Sequence, residues 1–474
     1  MLQEYEMVIG LEVHVELKTE TKIFCGCSTT FGAPPNTQCC PVCMGLPGTL
    51  PVLNHKVVEY AVKAGLATNC TITRYSKQDR KNYFYPDLPK AYQISQYDLP
   101  LCEHGYLDIQ TEQGEKRIGI TRIHIEEDAG KLVHEEGGGT LCDYNRCGVP
   151  LIEIVSEPDI RSAEEAKQYV RKLRAIMLYT GVSDCKMQEG SLRCDVNLSV
   201  RKKGETALGV RTEMKNLNSF QFIGKAIDYE FARQVKALEA GELVVQETRR
   251  FDQQSGKTYS MRSKENADDY RYFPDPDLVP IEMEEAWLDS LRQSIPALPD
   301  ERKKQYMKQF GLTAAEAENL AAEATVADYF ERTAQMCTNP KTLAHLLVGE
   351  GMKLLQEEEK EIPVHPAHMA QLCQLLAEEK INSGAAKKLL KQMWQTDESP
   401  SLIAQEQQLW QINDEDVLLQ MAKRVIAQDK KSAEDYQKGK TNAIKALIGL
   451  AMRETNGQAN PNRLAKILRE SLEK

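Results

Sequence analysis

The sequence predicts an α+β protein: an N-terminal cradle built mainly from an antiparallel sheet with helices, followed by an all-α region and a small helical tail. Three observations carry that prediction. VIGLEVHVEL (8–17) alternates strictly, with Leu11, Val13, Val15 and Leu17 on one side and Glu12, His14 and Glu16 on the other, the pattern of a half-buried strand. The same alternation returns in RIGITRIHIEE (117–127), PLIEIVSE (150–157), SLRCDVNLSV (191–200) and VRTEMKN (210–216). Beyond IPALPDERKK (295–304), where two prolines precede an N-cap-like Asp300, the strand signal disappears and helical spacing takes over.

Between the strands, SAEEAKQYVRKLRAIMLYTG (162–181) has an apolar face of Ala166, Tyr169, Val170, Leu173, Ile176 and Met177. Ser162 followed by Glu165 gives a capping-box pattern, and Gly181 stops the helix. A second helix is expected over 220–239, ending at Gly241. Four helical segments fill the middle, and a polar stretch, 395–414, separates them from a last group. In that group Asn413 is expected to cap DEDVLLQMAKRVI, and Asn460 with Pro461 opens the final helix. The expected domains are therefore 1–293, 294–408 and 409–474.

The chain has 474 residues, 41% of them hydrophobic and 27% charged, ordinary values for a globular protein with more than one core. No apolar run approaches the roughly 18 residues of a membrane span, and the N-terminus carries no signal-like segment, so a cytoplasmic location without membrane contact is expected. A net charge of −10 argues against a general nucleic-acid coat but leaves room for a local basic surface. Such a surface exists in the tail, where Lys430–Lys474 holds ten Lys/Arg against five Asp/Glu. Thirteen cysteines in a long chain without a signal read as reduced thiols and possible metal ligands.

FCGCSTTFGAPPNTQCCPVCMG (24–45) is the sharpest local motif. Cys25 and Cys27 form C-x-C, Cys40 and Cys43 form C-x-x-C, and four thiolates across a Gly/Pro/Asn-rich loop suit a structural tetrahedral Zn²⁺. Spacing does not decide between Cys39 and Cys40, though Cys40 makes the C-P-x-C knuckle turn. The carboxylates are more dispersed. Glu12, His14 and Glu16 share a strand face, as do Arg193, Asp195 and Asn197, while Glu126, Glu127 and Asp128 end another strand. Glu153 and Glu213 sit inside apolar strands, where a carboxylate is tolerated only if its side opens to water, a cation or substrate. Converging acids with an imidazole suit Mg²⁺ or Mn²⁺, and the chemistry read from these residues alone is metal-dependent phosphoryl transfer or hydrolysis. There is no G-x-x-x-x-G-K-[ST], so a nucleotide site would not be a P-loop, and Gly137, Gly138 and Gly139 suggest only a flexible turn.

The motifs VIGLEVHVEL, DRKNYFYPDLPKAYQISQYD (79–98), ITRIHIEEDAGK (120–131), DYNRCGVPLIEIVSEPD (143–159), GSLRCDVNLSV (190–200), TEMKNLNSF (212–220) and DDYRYFPDPDLVP (268–280) closely resemble the B subunits of the tRNA-dependent amidotransferases. The tail, GKTNAIKALIGLAMRETNGQANPNRL (439–464), resembles the helical C-terminal module of that family. The resemblance implies a kinase-like component of a heterotrimer. It uses ATP and Mg²⁺ to phosphorylate the side-chain carboxylate of glutamyl-tRNA(Gln) or aspartyl-tRNA(Asn). Ammonia then displaces phosphate; it comes from a partner amidase (the A chain), which assembles together with a small third component (the C chain).

By the same resemblance Glu12, His14, Glu127, Asp195 and Glu213 are the expected catalytic and Mg²⁺-binding residues, with Glu126 and Glu153 in a supporting rank. Cys25, Cys27, Cys40 and Cys43 match a zinc knuckle. Tyr83, Tyr85, Lys90, Tyr92 and Gln93 are placed near the acceptor end of the tRNA, and Lys438 and Lys440 in the basic tail that meets it. Nothing resembles an amidase, so the chain alone is not expected to use glutamine. Two rival readings, a zinc-bearing RNA adaptor without catalysis and a metal-dependent phosphodiesterase, differ from the kinase in predicting no tRNA-stimulated γ-phosphate release.

Overall fold

A computed structural model describes residues 4–135, 137–263, 267–355 and 361–473. The chain divides into two compact units, Met1–Leu298 and Pro299–Lys474.

Unit 1 is organised by a nine-stranded sheet. Its strands are β1 (Tyr5–Glu16), β2 (Thr71–Ile72), β3 (Cys102–Thr111), β4 (Gly114–Glu127), β5 (Pro150–Ser156), β6 (Leu192–Lys202), β7 (Thr212–Lys215), β8 (Glu247–Asp252) and β9 (Lys257–Ser263). They lie in the order β9-β8-β7-β6-β1-β5-β4-β3-β2. Each neighbouring pair is antiparallel except β7 with β8. The α+β class and the mainly antiparallel cradle expected from the alternation are therefore present.

One face of this sheet is dry. Ile9, Leu11, Val13 and Val15 of β1 pack into a single apolar cluster with helices α1 (His55–Ala67), α2 (Ala163–Tyr179) and α3 (Phe220–Glu239). Val57 and Ala61 of α1, Tyr169 and Leu173 of α2, and Ile223 and Ile227 of α3 are fully buried there. At about 1.5–3 kcal/mol for each large side chain, this burial fixes which face of β1 turns inward. Helix α1 sits so close to β3 that a Cβ on Gly65 would collide with Cys102 Sγ, which leaves glycine as the residue that fits.

The caps show where sequence reasoning succeeded and where it slipped. Ser162 Oγ accepts from Glu165 N at 3.1 Å as expected, but the Glu165 carboxylate reaches back to Arg161 N (2.7 Å), one residue earlier than a capping box requires. The last long helices behave differently at their two starts. Asn460 caps with Pro461 in the first turn, as anticipated. The residue capping Glu415–Gln428 is Asp414, which accepts from Asp416 N and Val417 N at 3.0 and 3.1 Å. Asn413 instead donates to Glu379 O at 2.6 Å, tying the tail to the preceding helices of its unit.

Asp300 likewise lies inside the first turn of Pro299–Phe310 rather than before it. The polar stretch 395–414 contains a short helix, Pro400–Glu406, that buries Ile403 and Ala404. The tail keeps its own apolar cluster, including Leu418, Val425, Leu447, Leu464 and Leu468. Among the described residues no helix is long and apolar enough to cross a membrane.

A buried acid anchors the β7–β9 side of the sheet to α3. Glu230 is fully buried and accepts from Thr212 Oγ1 (2.8 Å), Thr258 Oγ1 (2.9 Å), Gln234 Nε2 (3.1 Å) and from Nη2 and Nε of Arg233 (2.6 and 2.9 Å). Burial pushes its pKa up, but the Arg233 guanidinium and these donors more than reverse that and hold it below the usual value. A carboxylate with a lowered folded-state pKa contributes stability above its unfolded pKa of about 4.3 and loses it as pH falls through the folded value. Glu230→Ala is expected to destabilise unit 1 by about 1–3 kcal/mol, because the buried donors Thr212, Thr258 and Gln234 lose their acceptor. In urea melts followed by unit 1 fluorescence, Glu230→Gln should show a shallower loss of stability below pH ~4 than the parent.

Candidate functional site

The polar face of the sheet, opposite the three helices, is a cradle of about 630 Å³. Strand register assembles it. Glu12 lies opposite Asp195 on one neighbour, and His14 lies opposite Glu153 on the other. Glu153 is in turn opposite His124 of β4, and Asn197 is opposite Glu213 of β7. Directly opposed residues on one sheet face stand about 4.5–5.5 Å apart, so the backbone brings these side chains together before any ligand does.

Two clusters result. The side-chain oxygens of Glu12, Asp195 and Glu213 come within 4.8 Å of one another, and so do the ligand atoms of His14, Glu126 and Glu153. The first set is held from outside: Asn197 Nδ2 donates to Glu12 Oε1 (2.9 Å) and Thr248 Oγ1 to Glu213 Oε2 (2.8 Å). Lys215 pairs with Asp195 and lies 3.2 Å from Glu213 Oε1. In the second set His14 Nε2 is 3.4 Å and His124 Nε2 3.5 Å from Glu153 Oε2. Glu126 accepts from Ser95 Oγ (2.8 Å) and Gln93 Nε2 (3.2 Å), with Lys81 Nζ 3.8 Å away.

These contacts decide the charge states. Burial pushes the Glu126 carboxyl up, but Lys81 and His124 overcome it and hold it at about 2. Glu153 is likewise held well below its usual value against burial, by His124 and His14. Burial works against the charged form of His14 too, yet the hydrogen bond and charge of Glu153 raise it overall. The cradle is thus an anionic floor with cationic walls. Arg122, Arg211 and Lys81 line it together with Tyr83, Tyr97, Tyr270 and Tyr272. Tyr97 and Tyr272 stack at 4.4 Å.

Not every expected residue reaches this cradle. Glu12, His14, Asp195 and Glu213 do, and Glu126 and Glu153 join them. Glu127 does not. The alternation of β4 sends His124 and Glu126 into the cradle and turns Glu127 to the other side, where it accepts from Ile94 N (2.8 Å) and pairs with Lys90. There Glu127, Lys90 and Tyr92 line a smaller hollow of about 190 Å³ beside the cysteine loop. Of the aromatic motif, Tyr83 and Gln93 line the cradle, while Tyr85 is 55% exposed outside it. Lys438 and Lys440 stand exposed in unit 2, near Glu434 (3.4 Å) and Asp435 (3.0 Å).

His124, Arg122, Lys81, Lys215 and Tyr272 escaped the sequence reading. His124 was detectable, because it alternates in phase with Glu126. Lys215 was detectable in the same way, two residues from Glu213 on one strand, whereas Lys81 was not, since its strand reaches the cradle through neighbours that no local pattern reveals.

The cysteine loop is equally well formed. The sulfurs of Cys25, Cys27, Cys40 and Cys43 lie within 4.8 Å of one another, a set that could hold a metal ion. Cys43 Sγ accepts from Cys40 N (3.1 Å) and from Lys22 Nζ (3.7 Å). A hydrogen bond from Cys25, with these donors, brings the Cys43 thiol down to about 5 despite burial. Cys39 turns away, donating to Asn36 O at 3.2 Å, and of the two adjacent cysteines it is Cys40 that stands in this set.

Comparison with known proteins agrees with this architecture. Residues 7–289 match the GatB/GatE catalytic domain and residues 328–472 the GatB domain. Three similar proteins are each described as the B subunit of an aspartyl/glutamyl-tRNA(Asn/Gln) amidotransferase. That of Caldicellulosiruptor saccharolyticus is 56% identical over 99% of this chain and all of its own length. That of Caldanaerobacter subterraneus is also 56% identical, over 99% of this chain and all of its own. That of Clostridium tetani is 50% identical over 99% of both chains. With the catalytic-domain match covering the sheet that forms the cradle, and relatives aligned end to end, the chain belongs to the family of tRNA-dependent amidotransferase B subunits.

Proposed function

We propose that the cradle phosphorylates the side-chain carboxylate of a glutamate or aspartate misacylated to tRNA, using ATP, and then presents the acyl phosphate to ammonia. The observation that carries this reading is the convergence of two acid clusters on one sheet face. A carboxylate at neutral pH is a poor electrophile. Attack of its oxygen on the γ-phosphorus releases ADP and leaves an acyl phosphate. Ammonia then forms the C–N bond as inorganic phosphate departs and a proton is lost, giving glutaminyl- or asparaginyl-tRNA.

The donor sets fit Mg²⁺: oxygen-rich groups, one imidazole, and a side open to the solvent from which the ion keeps its waters. Glu12, Asp195 and Glu213 would hold one ion and His14, Glu126 and Glu153 another, and a bound ion would neutralise charge on transferring phosphoryl oxygens. Asn197 and Thr248 orient the first set of acids; Ser95 and Gln93 orient the second. Arg122, Arg211 and Lys81 are placed to offset phosphate charge, and the tyrosine-lined wall suits the esterified amino acid and terminal nucleotide. Cys25, Cys27, Cys40 and Cys43 hold structural Zn²⁺ in this reading. The basic tail, with Lys438 and Lys440, meets the folded tRNA, which is recognised by shape and phosphate contact. Ammonia comes from the amidase A chain, which joins this protein and the small C chain in a cytoplasmic heterotrimer.

Full-length protein incubated with misacylated tRNA, Mg²⁺ and γ-labelled ATP is expected to release labelled phosphate in a tRNA-dependent manner when ammonium is supplied. Glu12→Ala should lower that rate by at least ~100-fold, the upper end of what losing even an outer-shell metal partner costs. Release that is independent of tRNA, or nucleic-acid cleavage in its place, contradicts the proposal. The geometry also separates two neighbours. Glu126→Gln is expected to weaken Mn²⁺ binding measured by electron paramagnetic resonance, and Glu127→Gln to leave it within twofold. Purified protein should carry about one zinc per chain, lost in Cys43→Ser and retained in Cys39→Ser by elemental analysis.

A further inference from the structure

The cysteine loop holds a buried cation as well as its four sulfurs. Lys22 is fully buried, the only lysine so placed among the described residues, and lysine is almost never found there unless its charge is matched. Two polar groups meet its ammonium: Nζ donates to Cys43 Sγ at 3.7 Å and to Tyr144 O at 3.2 Å. Tyr144 O is an uncharged carbonyl. Among the described residues no carboxylate pairs with Lys22, and Glu127, which lines the same hollow, is engaged by Lys90. The backbone fixes this arrangement. Lys22 N donates to Cys27 O (2.9 Å), and Ile23 N donates to Gly148 O (2.9 Å). A Cβ on Gly148 would meet Lys22 Cδ at 3.7 Å and Cys43 Cβ at 3.8 Å, so the lysine stem is held between the loop and the turn before β5.

We propose that Lys22 is the counter-ion of the metal centre, a positioning residue that offsets the charge of a tetrathiolate complex at its innermost sulfur; the assignment rests on the zinc reading above. Four thiolates around Zn²⁺ carry a net double negative charge. Cys25, Cys27 and Cys40 are half-buried, so water shares in screening them, whereas Cys43 is buried. Charge on Cys43 is costly unless the protein supplies an opposite charge, and Lys22 is the cation at hydrogen-bonding distance. The benefit runs both ways, because a loaded centre gives the ammonium the anion that its surroundings otherwise lack. A donor to a ligating sulfur also lowers the energy of the sulfur's filled orbitals, which is how hydrogen bonds around metal-bound cysteines tune such centres. Through Tyr144 O the same ammonium ties the centre to the turn 144–148, which leads into β5, the strand of Glu153.

The test compares the wild-type full chain with Lys22→Met, which keeps the stem and removes the charge. Zinc affinity is measured by competition with a fluorescent chelator, and the sulfur environment by the absorption spectrum of the Co²⁺-substituted protein. Lys22→Met is expected to bind zinc about 10–100-fold more weakly, the usual cost of losing a partner of a metal ligand. Its sulfur-to-cobalt charge-transfer band should move to lower energy, because a thiolate without the ammonium gives up an electron more readily, while the tetrahedral d–d bands stay in place. Lys22→Gln, neutral but still a donor, covers the case in which Lys22→Met folds poorly, and it should shift both readouts in the same direction. Wild-type zinc affinity in the variants overturns the counter-ion. Weaker zinc binding with an unmoved charge-transfer band also overturns it, since that reports lost packing alone. Wild-type protein that binds neither Zn²⁺ nor Co²⁺ overturns the zinc reading itself.

Discussion

Mutual repulsion among carboxylates is the constraint around which this protein is built. Two unit charges at 4 Å interact by about 4 kcal/mol at an effective dielectric of 20, and each trio gathers its ligand atoms within 4.8 Å. The acids cannot relax apart, because they are fixed in opposite registers of a sheet whose other face is sealed under three helices. A one-residue slip of β1 would bury Glu12 and His14 and expose Leu11 and Val13. The apolar core and the acidic cradle are therefore two consequences of one register. Lys215 and Lys81 relieve part of the repulsion from the edges, and His14 and His124 lie 3.4 and 3.5 Å from Glu153 within the second cluster.

The remainder of unit 1 supports that floor from around it. The strands Asp79–Asn82 and Tyr92–Ser95 bring Lys81, Gln93 and Ser95 over the second acid cluster. Their partner Phe273–Pro274 follows a segment that brings Tyr270 and Tyr272 to the cradle. The cysteine loop braces the reverse side. Lys22, fully buried, donates to Cys43 Sγ and to Tyr144 O (3.2 Å), and the hollow next to it receives Glu127 and Lys90. Two successive glutamates of one strand thus serve different neighbourhoods, one in the cradle and one behind it.

Much of this was legible in the sequence because it is periodic. Alternation in β1, β4, β5 and β6 identified the strands and told which acids faced away from the core. It also told Glu126 from Glu127 by direction, since counting by twos from His124 reaches Glu126. The resemblance drew attention to Glu127 instead, and position by position likeness carries no information about side-chain direction. The tail was legible for the same reason of period, down to Asn460 and Pro461. Caps were harder, since Asn413 and Asp414 are both good cap residues and only the contact with Glu379 separates them. Lys215 could have been found by the same count from Glu213, but Lys81 was invisible, because its place depends on which distant strands become neighbours.

The central claim is that the two carboxylate clusters exist to hold divalent cations beside a nucleotide. Its most direct measurement is the anomalous scattering of Mn²⁺ in crystals of the full chain soaked with manganese and ATP. The account predicts one peak among Glu12, Asp195 and Glu213 and a second among His14, Glu126 and Glu153, with triphosphate density between them. Manganese absent from both positions, or bound only at surface acids outside the cradle, would contradict it.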